Sequence, residues 1–204
     1  MIAGAAAQIR EHHAMLSELD CAAGDGDHGA TMLRAVERLE QAFSTGSAQD
    51  LSTTLKQAGW SVLGVDGGAS SSLLGVWFGG MAASPACSEI SGASDLAAIF
   101  EAGLSALRRQ TKAEPGDKTM MDALVPATAA LRAAADSGKD LLDALRAAAE
   151  AAHAGAEATR DLSARHGRAK FLGEKTRGHI DPGAASISLL FEGFYRGLQQ
   201  RKDN

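Results

Sequence analysis

Small apolar residues recur at helical spacing along most of the chain, and this pattern restricts the fold more than any other feature. The clearest segment is LLDALRAAAEAAHAGAEATRDL, residues 141–162. Alanine has the highest helix propensity, and small side chains let helices pack closely together. No segment alternates β-branched and polar residues between turn signals, as a strand would. We therefore expect an all-α fold, an eight-helix antiparallel bundle or barrel.

Polar residues and glycines separate the predicted helices. Ser47 and Asp95 are predicted to mark helix starts, and Ser137 with Gly138 separates two helices. Pro126 should either kink its helix or lie in the first turn of a helix that starts late. Since no linker or internal repeat divides the chain, we expect one domain over residues 1–204. The predicted helices cover residues 3–18, 30–44, 48–64, 70–82, 94–112, 119–136, 141–162 and 184–201.

Charge and cysteine content exclude several classes of protein. The formal net charge is -5 at pH 7, which gives no reason to expect a nucleic-acid partner. No stretch is long and apolar enough for a membrane span, and the first residues do not form a secretory signal. The two cysteines, Cys21 and Cys87, show no paired or metal-type spacing. These features predict a cytoplasmic protein that does not contact a membrane.

Three carboxylates, Asp20, Asp25 and Asp27, fall within the short stretch DCAAGDGDHG. Like charges this close together need a counter-charge. A calcium EF-hand does not fit, because the twelfth position of that loop is not glutamate in either register. Zinc is disfavoured, because cysteine and histidine do not dominate the stretch. Oxygen ligands of this kind favour magnesium or calcium, and magnesium commonly combines a few carboxylates with substrate phosphates.

Four loops share one form, in which glycine and a small polar residue precede a helix. Glycine lets the backbone approach a ligand, and the N-terminus of a helix suits phosphate. A single loop of this kind is ordinarily a turn with a helix cap, but four of them could form a rim at one end of a bundle. None matches the Walker pattern of a P-loop. The loops are GDGDHGAT (24–31), DGGASSS (66–72), PGDKT (115–119) and DPGAAS (181–186).

Residues 163–183 form a long stretch rich in glycine and charge, with a poor helical pattern. A segment of this length without secondary structure in a compact domain is usually functional or disordered. Phe171 and Leu172 make plain disorder a poor explanation, so we expect a functional segment.

Taken together and in this order, the motifs resemble the L subunit of dihydroxyacetone kinase, the nucleotide-binding DhaL family. The resemblance implies an eight-helix barrel that holds ADP or ATP at one end through magnesium ions. It implies that Asp20, Asp25 and Asp27 are the magnesium ligands, and the charge balance leads us to expect two ions. The matching stretches are LDCAAGDGDHGATM (19–32), GGAS (67–70), KAEPGDKTMMDALVPA (112–127) and GRAKFLGEKTRGHIDPGAAS (167–186).

The resemblance also implies a set of nucleotide contacts and no certain catalytic side chain. Met120 would pack on the adenine, although a core methionine is an equally good interpretation of the residue alone. Arg168 would pair with phosphate through its planar guanidinium, the alternative being a surface arginine. Lys118 and Arg177 lie in the same loops and rank below these residues. The implied contacts are His28, Thr31, Ala69, Ser70, Met120, Arg168, Asp181, Pro182 and Gly183.

The family resemblance implies partners as well. A separate K subunit would hold dihydroxyacetone, so this chain should be inactive alone. ADP could stay bound and be rephosphorylated by a phosphotransferase-system protein, or ATP could exchange as a substrate. The sequence does not separate these two schemes, and it leaves a homodimer open.

Three residues depart from the family pattern within the second loop. Ser71 and Ser72 stand where Gly-Pro usually follows GGAS, and Asp66 replaces an apolar residue. They leave the donor and the exact substrate unsettled, so a kinase subunit for another short ketose such as erythrulose is an alternative. A nucleotide-loaded regulatory binding module is another. A fatty-acid-kinase-like domain is disfavoured, because its loop typically reads DGDTG and His28 replaces that threonine.

Overall fold

The computed structural model describes residues 1–22, 24–45, 50–66 and 68–203, and over these ranges the chain folds into α-helices without strands. This confirms the all-α prediction. The helices are α1 (Ile2–Cys21), α2 (His28–Thr45), α3 (Leu51–Leu63), α4 (Gly68–Met81), α5 (Ala93–Arg108), α6 (Met121–Asp136), α7 (Leu141–Ala158) and α8 (Pro182–Asp203).

The eight helices form a closed ring. Each helix packs against its neighbours in sequence, and α8 packs against α1. Because successive helices run antiparallel, the connections α1–α2, α3–α4, α5–α6 and α7–α8 lie at the same end. Those connections contain the four glycine loops. Among the described residues, no helix has the length and apolar character needed to cross a membrane.

An aromatic cluster fills the centre of the ring. Trp77 is fully buried, and its ring centroid lies 5.0 Å from that of Phe78 and 5.6 Å from that of Phe100. Phe191 and Phe194 of α8 complete the cluster. Edge-on contacts of this kind add to the free energy gained from burial of the rings. The few aromatic residues of the chain thus connect α4, α5 and α8.

Glycine allows the helix backbones to approach closely where the ring closes. A Cβ atom added at Gly193 of α8 would lie 2.3 Å from the Cα of Ala5 in α1. A Cβ added at Gly4 would lie 2.2 Å from the carbonyl oxygen of Gly193. The α3–α4 contact is built in the same way, since a Cβ at Gly59 would lie 2.6 Å from the Cα of Gly79. The small-residue composition therefore sets the spacing between helices.

Pro126 lies inside α6 rather than at its end. The helix begins at Met121, two residues later than predicted, which places Pro126 in the second turn. Proline has no N–H, so the carbonyl of Asp122 loses its partner within the helix. Gly155 of α7 packs against that carbonyl, and a Cβ there would come within 2.1 Å of the oxygen. A glycine on the neighbouring helix thus accommodates the proline.

Helix boundaries differ from the predictions by a few residues. The predicted start at Ser47 lies outside the described residues. Helix α3 instead begins after Asp50, whose carboxylate accepts a hydrogen bond from the Thr53 N–H at 2.9 Å. Helix α5 ends at Arg108 rather than at residue 112. The short 3-10 turn Thr159–Asp161 follows α7.

The α1–α8 contact leads to a stability prediction. Gly193→Ala places a methyl group against the α1 backbone, which cannot move aside without opening the ring. We expect the free energy of unfolding to fall by about 1–3 kcal/mol, measured by denaturant titration.

Gly64→Ala is the matched control. A Cβ at Gly64 would meet its nearest neighbour at an ordinary 3.6 Å, so this variant should unfold close to the wild type. Equal stabilities for the two variants would show that the α1–α8 contact is not tight.

Candidate functional site

The four glycine loops surround one cavity of about 310 Å³ at the end of the ring. Each loop contributes residues to the wall, as the predicted rim requires. The α1–α2 loop supplies Gly24 and Asp27, and α4 begins at the wall with Gly68. Lys118 comes from the third loop and Gly183 from the fourth. Gly67 of the second loop lies outside the described residues.

The predicted metal ligands converge at the mouth of this cavity, where Asp20 and Asp27 line the wall and Asp25 lines an adjoining surface pocket. One carboxylate oxygen from each of Asp20, Asp25 and Asp27 lies within 4.8 Å of the others. Asp20, in the last turn of α1, also shapes the loop, because it accepts hydrogen bonds from the N–H groups of Gly26 at 3.0 Å and His28 at 3.3 Å. Three oxygen donors in this arrangement fit a hard divalent cation such as Mg²⁺.

Gly24 is required by the same arrangement. A Cβ at this position would lie 2.1 Å from Oδ1 of Asp20. Gly26 adopts a positive φ of 78°, a conformation that glycine enters without strain. The spacing of glycines and aspartates in the motif therefore has a direct geometric cause.

Arg168 lies against this acidic cluster. Its guanidinium Nη1 donates a hydrogen bond to Oδ2 of Asp25, and both side chains are exposed. The guanidinium holds the pKa of the Asp25 carboxyl below its ordinary value, mainly through this hydrogen bond. The predicted phosphate-binding arginine and a predicted metal ligand are therefore partners in the structure.

His28 is buried at the start of α2. Its ring Nε2 lies 2.7 Å from the hydroxyl of Ser186 in α8. Burial lowers the pKa of the ring, and the charge of Asp20 and a hydrogen bond to the Pro182 backbone partly offset this effect. The imidazole is therefore neutral at physiological pH, and it links the first and fourth loops across the cavity.

Thr31 takes a different position from the other predicted contacts. It is fully buried in α2 and does not line the cavity. Its hydroxyl accepts a hydrogen bond from Arg34 at 3.1 Å, and Arg34 also donates to the Asp66 carbonyl at 2.8 Å. Thr31 is thus connected through Arg34 to the second loop, on the side of the first loop that faces away from the cavity. The remaining predicted nucleotide contacts all line the cavity: Ala69, Ser70, Met120, Asp181, Pro182 and Gly183.

The three departures from the family pattern leave the cavity wall intact. Ser71 is fully buried, and its hydroxyl donates to the Val65 carbonyl at 3.1 Å. Ser72 is exposed and lies outside the wall, as does the side chain of Asp66. Ser71 therefore holds the second loop closed instead of facing a ligand.

Lys118 has a larger structural role than its sequence position indicated. It is buried and lines the cavity, and its ammonium donates to the carbonyls of Thr159 and His179. Its φ of 60° is unusual for a residue with a side chain. Burial lowers the pKa of the ammonium, and the charges of Asp181 and Asp122 oppose this effect. Lys118 thereby fastens the third loop to the fourth.

Asp181 caps α8 beside this lysine. Its carboxylate accepts a hydrogen bond from the Ala184 N–H at 2.8 Å. Burial raises the pKa of Asp181 to about 7, and the nearby charge of Asp122 adds to the rise. Asp122 itself accepts from the N–H groups of Gly116 at 2.6 Å and Thr119 at 2.7 Å. The third and fourth loops therefore meet over a buried group of charges.

The burial of Lys118 could not be predicted from the sequence, because a lysine in a glycine loop usually points to solvent. Sequence reasoning also missed Thr111, which lines the cavity and accepts a hydrogen bond from the Ala113 N–H at 3.1 Å. The sequence signal for Thr111 was weak, since the residue follows a helix without a recognisable motif. Arg177, in contrast, lies outside the wall and pairs with Glu174 at 2.9 Å.

The segment 163–183 is ordered into short turns. It contains the 3-10 turns Arg168–Phe171 and Gly173–Thr176. Asp117 of the third loop anchors its start, since Arg165 and His166 contact the Asp117 carboxylate at 3.3 and 3.2 Å. The segment forms part of the cavity wall through residues such as His166, Arg168 and Ala169, and its functional role stays a prediction.

Comparisons with known proteins agree with this geometry. Residues 22–196 match the family described as DAK2 domain. The ADP-binding subunit DhaL of PEP-dependent dihydroxyacetone kinase 1 from Listeria innocua is 39% identical over 90% of this chain and 87% of its own length. The L-erythrulose 1-kinase of Mycolicibacterium smegmatis is 39% identical over 89% of this chain but only 32% of its own length.

A solved structure shows the same fold. It is the dihydroxyacetone kinase from C. freundii in complex with AMP-PNP and Mg²⁺, with a TM-score of 0.73 and 26% identity. The match covers 96% of this chain and 33% of the kinase chain, so this chain spans about a third of that protein.

The raised pKa of Asp181 leads to a prediction about stability. The folded protein keeps this proton up to about pH 7, whereas the unfolded chain loses it near the ordinary value of 3.8. The contribution of Asp181 to the free energy of unfolding therefore falls as pH rises from about 4 to 7. Asp181→Asn keeps a good cap without this penalty. We expect it to match the wild type at pH 4 and to exceed it by about 1–3 kcal/mol at pH 8.

Asp140→Asn is the matched control, because Asp140 caps α7 from an exposed position. The Asp143 backbone N–H lowers the pKa of Asp140, so its contribution is constant above pH 5 and is lost only in acid. The Asp140→Asn variant should keep a constant offset from the wild type between pH 5 and 8. A constant offset for Asp181→Asn as well would contradict the raised pKa.

Proposed function

The chain belongs to the DAK2 domain family, and we propose that it is the magnesium-dependent, ADP-binding subunit of a dihydroxyacetone kinase. The observation that carries this proposal is the convergence of four glycine loops on one cavity, with three carboxylates grouped at its mouth. The DhaL relative, which this chain matches over most of both lengths, is named as an ADP-binding subunit. The structural relative is described with a nucleotide analogue and Mg²⁺.

The magnesium would be held by Asp20, Asp25 and Asp27. We propose two ions, because three carboxylates repel a polyphosphate and two divalent cations offset that repulsion. Magnesium supplies charge neutralisation as the phosphoryl group moves. The carboxylates fix where that positive charge lies, at the mouth of the cavity. Asp20 also keeps the loop in shape through its two backbone hydrogen bonds.

The helix starts would hold the nucleotide. Ala69 and Ser70 lie in the first turn of α4, where backbone N–H groups are free to donate to phosphate. Met120 and Gly183 face each other on the wall, since a Cβ at Gly183 would lie 3.4 Å from the Met120 Cβ. This close apolar surface suits the flat adenine ring. His28 positions the start of α8 rather than donating a proton.

The phosphoryl acceptor would be held by a partner. We propose a dihydroxyacetone-binding K subunit that closes over the cavity mouth and excludes water. The name of the Listeria relative supports PEP as the ultimate phosphoryl donor. A phosphotransferase-system protein would deliver the phosphoryl group to ADP that stays bound. A homodimer, a single domain over residues 1–204 and a cytoplasmic location stay predictions.

A second acceptor has its own support. The M. smegmatis L-erythrulose 1-kinase is as similar in identity as the DhaL relative, although this chain covers only a third of it. Since the acceptor would be held by the partner subunit, the cavity described above serves either ketose. Assay of the assembled kinase with both ketoses decides between them.

The metal assignment leads to a binding prediction. Asp25→Ala should weaken magnesium-dependent ADP binding more than tenfold, by roughly the factor typical of disrupted metal sites. Asp27→Ala, which leaves the Asp25–Arg168 pair in place, should have the same effect. Calorimetric titration with and without Mg²⁺ measures both variants, and circular dichroism checks their helical fold.

The control is Asp66→Ala, which removes an exposed carboxylate within the second loop but outside the cluster. Its ADP affinity should stay at the wild-type value. Wild-type affinity in both cluster variants would remove the metal assignment.

A turnover assay tests the kinase activity itself. The chain alone should form no dihydroxyacetone phosphate, whereas addition of a K subunit and the phosphoryl donor should allow its formation. No turnover in that complete system would contradict the proposed kinase function.

A further inference from the structure

We propose that Arg168 couples metal binding to nucleotide binding by exchanging Asp25 for a phosphate group. The inference rests on the proposed function, because it assumes that the cavity takes a magnesium–nucleotide complex. It gives Arg168 a role before the nucleotide arrives, in addition to the phosphate contact expected from the sequence.

The position of Arg168 fits both partners of this exchange. One guanidinium nitrogen, Nη1, bonds Asp25 inside the acidic cluster. The other, Nη2, lies 3.8 Å from where a Cβ at Gly68 would stand, at the first residue of α4. A phosphate at that helix start would therefore lie beside the guanidinium. Only a small movement separates the two partners.

Charge explains why the exchange couples the ligands. Without a ligand, Arg168 is the positive group that contacts the cluster of three carboxylates in the described part of the chain. A divalent cation on Asp25 repels the guanidinium and deprives it of its partner. A nucleotide phosphate supplies a new partner at the helix start. Metal and nucleotide therefore each raise the affinity of the other, by the same factor.

The segment around Arg168 allows this movement. Gly167 and Gly173 flank the turn Arg168–Phe171 with positive φ values of 63° and 53°. Among residues 167–173, all of them described, Arg168 makes the only side-chain hydrogen bond or ion pair that reaches the helical ring. The segment is anchored outside this stretch, where Arg165 and His166 contact the carboxylate of Asp117 at 3.3 and 3.2 Å. Breaking one contact therefore frees the tip of the segment.

The test compares metal affinity without nucleotide in the wild type and in Arg168→Gln. Mn²⁺ binding by electron paramagnetic resonance and Mg²⁺ binding by calorimetry are the measurements. We expect Arg168→Gln to bind metal alone about two- to fivefold more tightly, because an exposed ion pair no longer competes. The same variant should bind ADP at saturating Mg²⁺ about tenfold more weakly. The factor by which metal enhances ADP affinity should fall accordingly.

Arg177→Gln is the matched control, since it removes the same charge from the same segment without touching the cluster. It should reproduce wild-type values in both titrations. Metal-alone affinity in Arg168→Gln that equals or falls below the wild-type value would overturn the exchange and leave Arg168 as a plain phosphate ligand. That result is distinct from failure of the proposed function, which would appear as no ADP binding to the wild-type chain.

Discussion

The contact between α1 and α8 is the constraint on which the rest of the structure depends. It joins the two ends of the helical sequence, and it exists because Gly4 and Gly193 let the backbones touch. Closing the ring brings the α7–α8 loop beside the α1–α2 loop. His28 and Ser186, which are 158 positions apart in sequence, then meet at 2.7 Å. Without that closure, the four glycine loops would not share a cavity.

The cavity holds two groups of charges that the protein stabilises in different ways. Lys118 and Asp122 are buried and Asp181 lies beside them at the cavity wall, where carbonyl and N–H groups satisfy all three. Such groups are costly to bury without partners, so they fix the loops that carry them. The cluster around Asp25 lies at the surface, where Arg168 is the counter-charge that contacts it in the described part of the chain. The first group builds the site, and the second remains available to ligands.

Much of this could be predicted from the sequence, and the reasons are local. Helix α4, predicted at 70–82, occupies Gly68–Met81, because a glycine loop and an apolar run define it. The aspartate cluster was found because its three members lie within eight positions. The roles of Lys118 and Ser71 could not be predicted, since their burial depends on segments distant in sequence. The position of Thr31 behind the wall follows from helix rotation, which a motif does not specify.

The most direct test of the magnesium–nucleotide site is to extract and identify the nucleotide carried by the freshly purified chain, and then to time its exchange against labelled ATP with Mg²⁺. We predict an adenine nucleotide whose retention is lost when Mg²⁺ is chelated. ADP that exchanges over hours fits a retained cofactor, and fast exchange fits ATP as a substrate. Absence of nucleotide binding at every Mg²⁺ concentration would contradict the magnesium–nucleotide site.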